Sequence, residues 1–160
     1  MKKIDVGQAV AVLANVGVIA GIMFLAIELR LNTRAVEAQT RDSITEKQMQ
    51  LYAWQATNSD LAAVVAKARD EGADELNTVE NQMLFGYMEA FFREHENALY
   101  QFEQGLFNAE EFSGRRQNMR VFLLTPAFRS FWDGRRDHYS PSLRTEIDLI
   151  LSELQNQAGD

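Results

Sequence analysis

His95 stands in the stretch Phe-Phe-Arg-Glu-His-Glu-Asn, residues 91–97, with a carboxylate on either side, Glu94 and Glu96. A histidine flanked by acids could ligate a metal or shuttle a proton, so the spacing of its companions decides what chemistry is open to it. A di-iron carboxylate bundle needs Glu-x-x-His on two helices. The residue three before His95 is Phe92, and three before His138, the one other histidine, is Arg135. A zinc-protease motif opening at His95-Glu96 needs histidine four residues on, where Leu99 stands. The expectation is a hydrogen-bonded core or interface histidine and no metal.

Other chemistry is equally short of parts. Cysteine is absent, which removes thiol nucleophiles, disulfides and thiolate zinc sites. No glycine-rich phosphate loop is present, and no serine sits in a nucleophile-elbow setting. Glu110 and Glu111 read as acids favoured in a first helical turn. The sequence therefore predicts no enzyme, no catalytic residue and no cofactor. The strongest polar cluster is Arg115, Arg116, Arg120, Arg129, Arg135 and Arg136, with Trp132, His138 and Tyr139 nearby. It reads either as a docking face for an acidic partner, headgroup or phosphate, or as a set paired with Asp133, Asp137 and acids elsewhere in the domain. The formal charge of −7 argues against nucleic acid as a partner.

The elements that position these groups are helical. With 46% apolar residues and two prolines in 160 residues, and no strand-like alternation, the chain reads as one all-α domain. Helices are expected near 5–57, 60–71, 79–104, 109–124, 126–138 and 141–156. Caps mark the starts: Asn58-Ser59-Asp60, Thr78, the capping-box pattern Asn108 to Glu111, Thr125-Pro126 and Ser140-Pro141. Gly72 and Gly105 mark stops. Leu84, Met88, Phe91, His95, Leu99, Phe102 and Leu106 recur at steps of three and four, a core stripe. Phe107, Phe112, Phe122, Phe128, Phe131 and Trp132 continue it, and Leu143, Ile147, Ile150, Leu151 and Leu154 give the last helix its own face.

The N-terminal third is different. Val6 to Ile27 carries no charge. At the helical rise it covers about 33 Å, near the thickness of a bilayer's hydrocarbon core. The alternatives are a buried helix of a soluble protein, which rarely needs so long an uncharged run, and a signal peptide with Lys2 and Lys3 as its positive start and Val18-Ile19-Ala20 as a cleavage site. The run stays apolar beyond Ala20, and the sequence opens at Met1, so a retained single-pass anchor is expected. Gly7, Ala11, Ala14, Gly17 and Gly21 are small residues suited to close helix approach in lipid, and Asn15 is an amide that seeks a partner there. Lys2 and Lys3 on one side nearly balance Arg30, Arg34 and Arg41 on the other, with a slight lean towards a cytoplasmic C-terminal domain. Arg41 is expected to pair with Glu37 one turn earlier. The organisation read from the sequence is an anchor over 1–30, a juxtamembrane helix over 31–57 and a helical bundle over 58–160.

Phe24 to Thr40, FLAIELRLNTRAVEAQT, resembles the start of a widespread group of bacterial membrane-anchored helical proteins. FFREHENALYQFEQGLFNAEEF and TPAFRSFWDGRRDHYSPSLRTEIDLIL are similar to its later segments. The matching residues are Arg30, Asn32 and Thr33, then Glu96, Tyr100 and Gly105, then Phe131, Trp132 and Tyr139. The resemblance implies an N-terminal span in a bacterial inner membrane, running into a polar helix and a small helical domain. It brings no activity, substrate or cofactor with it. Lys2 and Lys3 depart from that group's weakly charged tail. The function expected is a non-catalytic scaffold or accessory subunit, held in the lipid bilayer and assembling with itself or with another membrane protein. The alternatives are a membrane-tethered ligand or lipid sensor with an apolar cavity, and an enzyme if His95, His138 and two carboxylates converge.

Overall fold

The computed structural model describes residues 6–158. Lys2, Lys3 and Asp5 lie outside them. Six α-helices follow one another: α1 Val6–Thr57, α2 Ser59–Asp70, α3 Thr78–Glu103, α4 Ala109–Leu123, α5 Pro126–Arg135 and α6 Pro141–Ala158. Single 3-10 turns, Ala73–Glu75 and Arg136–His138, follow α2 and α5. No strand occurs among the described residues.

The chain divides into two compact units, Met1–Gln39 and Thr40–Asp160. In the first unit, α1 is exposed along nearly all of its described length. Leu13, Ile19, Ile22, Phe24 and Leu25 each keep more than half of their surface open. This helix is long and apolar enough to cross a membrane by length and composition, a property that signal sequences share.

The second unit begins at Thr40, inside α1, rather than at the expected boundary of 58. The reason lies in α1's own residues. Ile44 and Leu51 are 1% and 5% exposed, one helical face apart by seven positions. Tyr87 of α3 donates a hydrogen bond to Gln55 (3.1 Å), and Asn118 of α4 donates to Tyr52 (3.2 Å). The end of α1 is thus a wall of the bundle.

α3 is the central helix of that unit and packs against α2, α4, α5 and α6. Its capping residue is Asn77, not the expected Thr78. The Asn77 side chain accepts from Val79 N (2.9 Å) and Glu80 N (3.0 Å), while Glu80 accepts from Asn77 N (2.8 Å), a complete capping box. The chain turns away just past its end at Gly105, whose φ of +72° favours a residue without Cβ. There Gly105 N donates to Phe102 O and Leu106 N to Gln101 O, both 2.9 Å, so the last carbonyls are satisfied.

The predicted stripe on α3 faces the core. Leu84, Met88, Phe91, His95 and Leu99 are all buried, and Phe102 is packed against them. Phe92, wholly buried, stacks on Phe131 (5.5 Å between centroids) and Trp132 (5.4 Å). Phe102 lies parallel to Phe112 at 4.5 Å. Leu143, Ile147 and Ile150 of α6 have no exposed surface, and Leu151 and Leu154 pack at the edge.

Candidate functional site

The most unusual polar arrangement is buried beside His95. Arg115 enters the core from α4 with 7% of its side chain exposed and pairs with Glu94 of α3, itself 10% exposed. Its second terminal nitrogen donates to the backbone oxygen of Ile44 (3.2 Å) and to Gln48 (3.1 Å), both on α1. Its guanidinium also lies near the Phe107 ring. One planar, five-donor group thus joins three helices. Burial raises the Glu94 pKa, and the adjacent Arg115 charge opposes that rise.

His95 is buried next to this pair, its ring 5.8 Å from that of Phe112. Its pKa falls to about 4, first through burial and then through the positive charges of Arg115 and Arg116. It is therefore neutral at physiological pH, and its Nε2 has no hydrogen-bond partner. The hydrogen bond expected of this histidine is thus not made at Nε2. His138 is exposed in the turn after α5, and its backbone oxygen accepts from Arg93 (3.1 Å). Among the described residues no three His, Asp or Glu side chains converge into a metal site.

A second network surrounds Glu89. It accepts from Arg93 (3.0 Å) and Tyr139 (3.0 Å), and Arg135 lies 3.5 Å away. Burial, then the hydrogen bond to Glu89, raises the Tyr139 pKa, so the phenol stays protonated. Glu96 accepts from Arg93 (2.8 Å) and from Ser140 N at the start of α6 (2.7 Å).

The six arginines singled out in the sequence all have acceptors within the bundle. Arg115 takes Glu94. Arg116 takes Glu146 and Glu153, both at 2.8 Å, and Arg120 takes Glu153 (3.3 Å) and Gln157. Arg129 donates to Leu123 O (3.2 Å) near the end of α4. Arg135 takes Glu89, and Arg136 takes Asp148. The partners are the acids expected elsewhere in the bundle rather than Asp133 and Asp137; Asp137 lies 3.5 Å from Arg144. One signal for the true partners was present. Arg116 and Arg120 are four apart on α4, Glu146 and Glu153 seven apart on α6, so each pair shares a helical face. Gln48 and Glu94 carried no such signal, because their role depends on how α1 meets α4.

On α1, Ala11, Ala14, Asn15, Gly17 and Gly21 are exposed, as is Gly7. A Cβ placed on Gly17 or Gly21 meets nothing within 4 Å. Clefts mark the bundle surface. One of about 440 Å³ is lined by Trp54, Leu61, Met83, Gly86 and Tyr87 among others. Another, of about 350 Å³, lies by Arg93, Tyr100 and Ser140.

No protein-family model, no curated protein and no solved structure matches the chain.

Proposed function

We propose that this chain is a non-catalytic, single-pass membrane module of the bacterial inner membrane, a scaffold or accessory subunit that assembles through its anchor helix. The carrying observation is the contrast between the two units. The bundle pairs its predicted arginine cluster internally, whereas Ala11, Ala14, Gly17 and Gly21 on α1 are exposed. In lipid, small residues at a helix face let a second backbone approach closely, and an amide such as Asn15 gains a partner by that approach. The resemblance to bacterial membrane-anchored helical proteins supports the same reading. The basic residues Arg30, Arg34 and Arg41 slightly outweigh Lys2 and Lys3 and favour a bundle on the cytoplasmic side.

Native mass spectrometry of the protein, tagged at its own expression level and extracted in mild detergent, tests the proposal. Multiples of 18.2 kDa make it a self-assembling module. Co-purification in a larger complex makes it an accessory subunit. A lone 18.2 kDa species overturns both.

A second reading, a membrane-tethered ligand or lipid sensor, draws support from the 440 Å³ cleft, whose Trp54, Leu61, Met83 and Tyr87 walls suit an aliphatic or aromatic ligand.

A further inference from the structure

Arg30 and Arg34 stand apart from every other arginine in the chain. From Arg41 to Arg144, each arginine has a carboxylate or carbonyl within ion-pair or hydrogen-bond distance. Arg30 and Arg34 have no such partner among the described residues, and both are exposed. They are also the two arginines nearest the uncharged run that ends at Ile27. Elsewhere this sequence places an acid beside each guanidinium or aims it at a carbonyl; here it does neither.

Their positions on α1 fit one kind of ligand. Four residues apart, they lie about 40° from each other around the helix and about 6 Å along it. That places two planar donors on one face, a geometry suited to the oxygens of a single phosphodiester. Relative to Ile27, Arg30 lies about 4.5 Å along the axis and Arg34 about 10.5 Å, and helical side chains lean back towards the N-terminus. Both guanidiniums therefore reach the depth of a headgroup layer a few ångströms thick beside the hydrocarbon core. Neither nearby acid pairs with them among the described residues. Glu28 points to roughly the opposite side of the helix from Arg30, about 160° away, and Glu37, on the neighbouring turn three residues beyond Arg34, makes no ion pair with it. Thr33 is not a competing donor, because its hydroxyl is turned to Leu29 O (2.9 Å).

We propose that Arg30 and Arg34 form a binding site for the phosphate of an anionic phospholipid at the end of the anchor. The inference rests on the membrane-span reading, and its test separates the two. Wild-type protein and the Arg30→Gln/Arg34→Gln variant are floated with pure phosphatidylcholine vesicles. In parallel, each is purified in mild detergent, supplied with equal phosphatidylglycerol and phosphatidylcholine, and its bound lipids are counted by native mass spectrometry. Both proteins should float. The wild type should retain phosphatidylglycerol in preference, and the variant should lose that preference by roughly thirty-fold, about 2 kcal/mol for the two arginines. Both side chains are unpartnered, so the variant's circular dichroism should match the wild type. If neither protein floats, the membrane span falls and the lipid site with it. If both float and neither prefers phosphatidylglycerol, the lipid site is overturned and the span stands. Loss of a co-purifying acidic protein from the variant, with lipid counts unchanged, also overturns it, in favour of a protein partner. Displacement of phosphatidylglycerol by millimolar inorganic phosphate makes it a free-phosphate site instead.

Discussion

Arg115 and Glu94 form an ion pair held almost wholly out of water, and the same guanidinium reaches back to the Ile44 carbonyl in the last turns of α1. Taking two charges from water is expensive, and their attraction repays it only when the remaining donors are satisfied. Here Ile44 O and Gln48 complete the set. Arg115→Met leaves Glu94 buried without its hydrogen-bonded counter-charge, Lys47 acting on it only through space, and should destabilise the bundle by about 3–5 kcal/mol. Arg115→Met with Glu94→Leu removes both charges and should recover most of that loss. Urea titration of the two variants checks this, and equal instability in both would remove the ion pair from the account.

His95 makes the stability of the bundle depend on pH. Its folded-state pKa of about 4 lies below the ordinary 6.5. Between those values the unfolded chain binds a proton that the native state refuses, so stability is full above pH 6.5 and declines as pH falls towards 4. The loss over that window is about 3 kcal/mol. Carboxylates titrate in part of the same range, so the comparison that isolates His95 is with His95→Phe. The wild type should lose melting temperature more steeply from pH 7 to 5 than the variant does. Parallel curves would mean that the native core accepts the proton.

The helices and the core stripe were legible because their signals are local. Leu84, Met88, Phe91, His95 and Leu99 repeat with the helical period whatever lies opposite. Polar partners were legible only where one element contained both. Arg41 shows the limit. Glu37, one turn earlier, is the partner that sequence spacing offers, yet Arg41 pairs with Glu111 of α4 at 2.5 Å. That contact also explains why the capping box expected at Asn108 is only half present. The Asn108 side chain accepts from Glu111 N (2.8 Å), but the Glu111 carboxylate is at Arg41 rather than turned back to the cap. Tertiary packing overrode two local rules at one residue. In the same way nothing in the sequence of α1 separates Gln39 from Thr40; the boundary exists because Ile44 and Leu51 find a core.

The start of α3 gives a sharper test of local chemistry. Asn77 and Thr78 are both capping residue types, but the hydrogen bonds belong to Asn77. Asn77→Ala should therefore destabilise the domain by about 1 kcal/mol, and Thr78→Ala by much less. Glu80 closes the same cap on the Asn77 backbone N–H and also accepts from Lys67 of α2 (3.0 Å); alanine at 77 keeps both of these bonds and loses only the two made to the Asn77 side chain. Thermal melts of the two alanine variants distinguish them. A larger loss from Thr78→Ala would move the helix start to the position that the sequence alone suggested.

The anchor face can be tested without disturbing the fold, because Gly17 and Gly21 touch nothing else in the chain. One turn apart, they leave a shallow trough about 6 Å long on one side of α1. In lipid the hydrophobic effect does not press helices together, so association depends on close packing at such troughs and on buried hydrogen bonds. Gly17→Ile with Gly21→Ile fills the trough with branched side chains. Helix content and the melting temperature of the bundle should be unchanged, while the assembled mass in mild detergent falls to 18.2 kDa. Asn15→Leu, which removes the only strongly polar side chain at the middle of the uncharged run, should weaken the assembly to a smaller extent. An assembly that keeps its mass with isoleucine at both positions would place the interface elsewhere, and the exposed Trp54 and Tyr52 at the far end of α1 would be the next surface to alter.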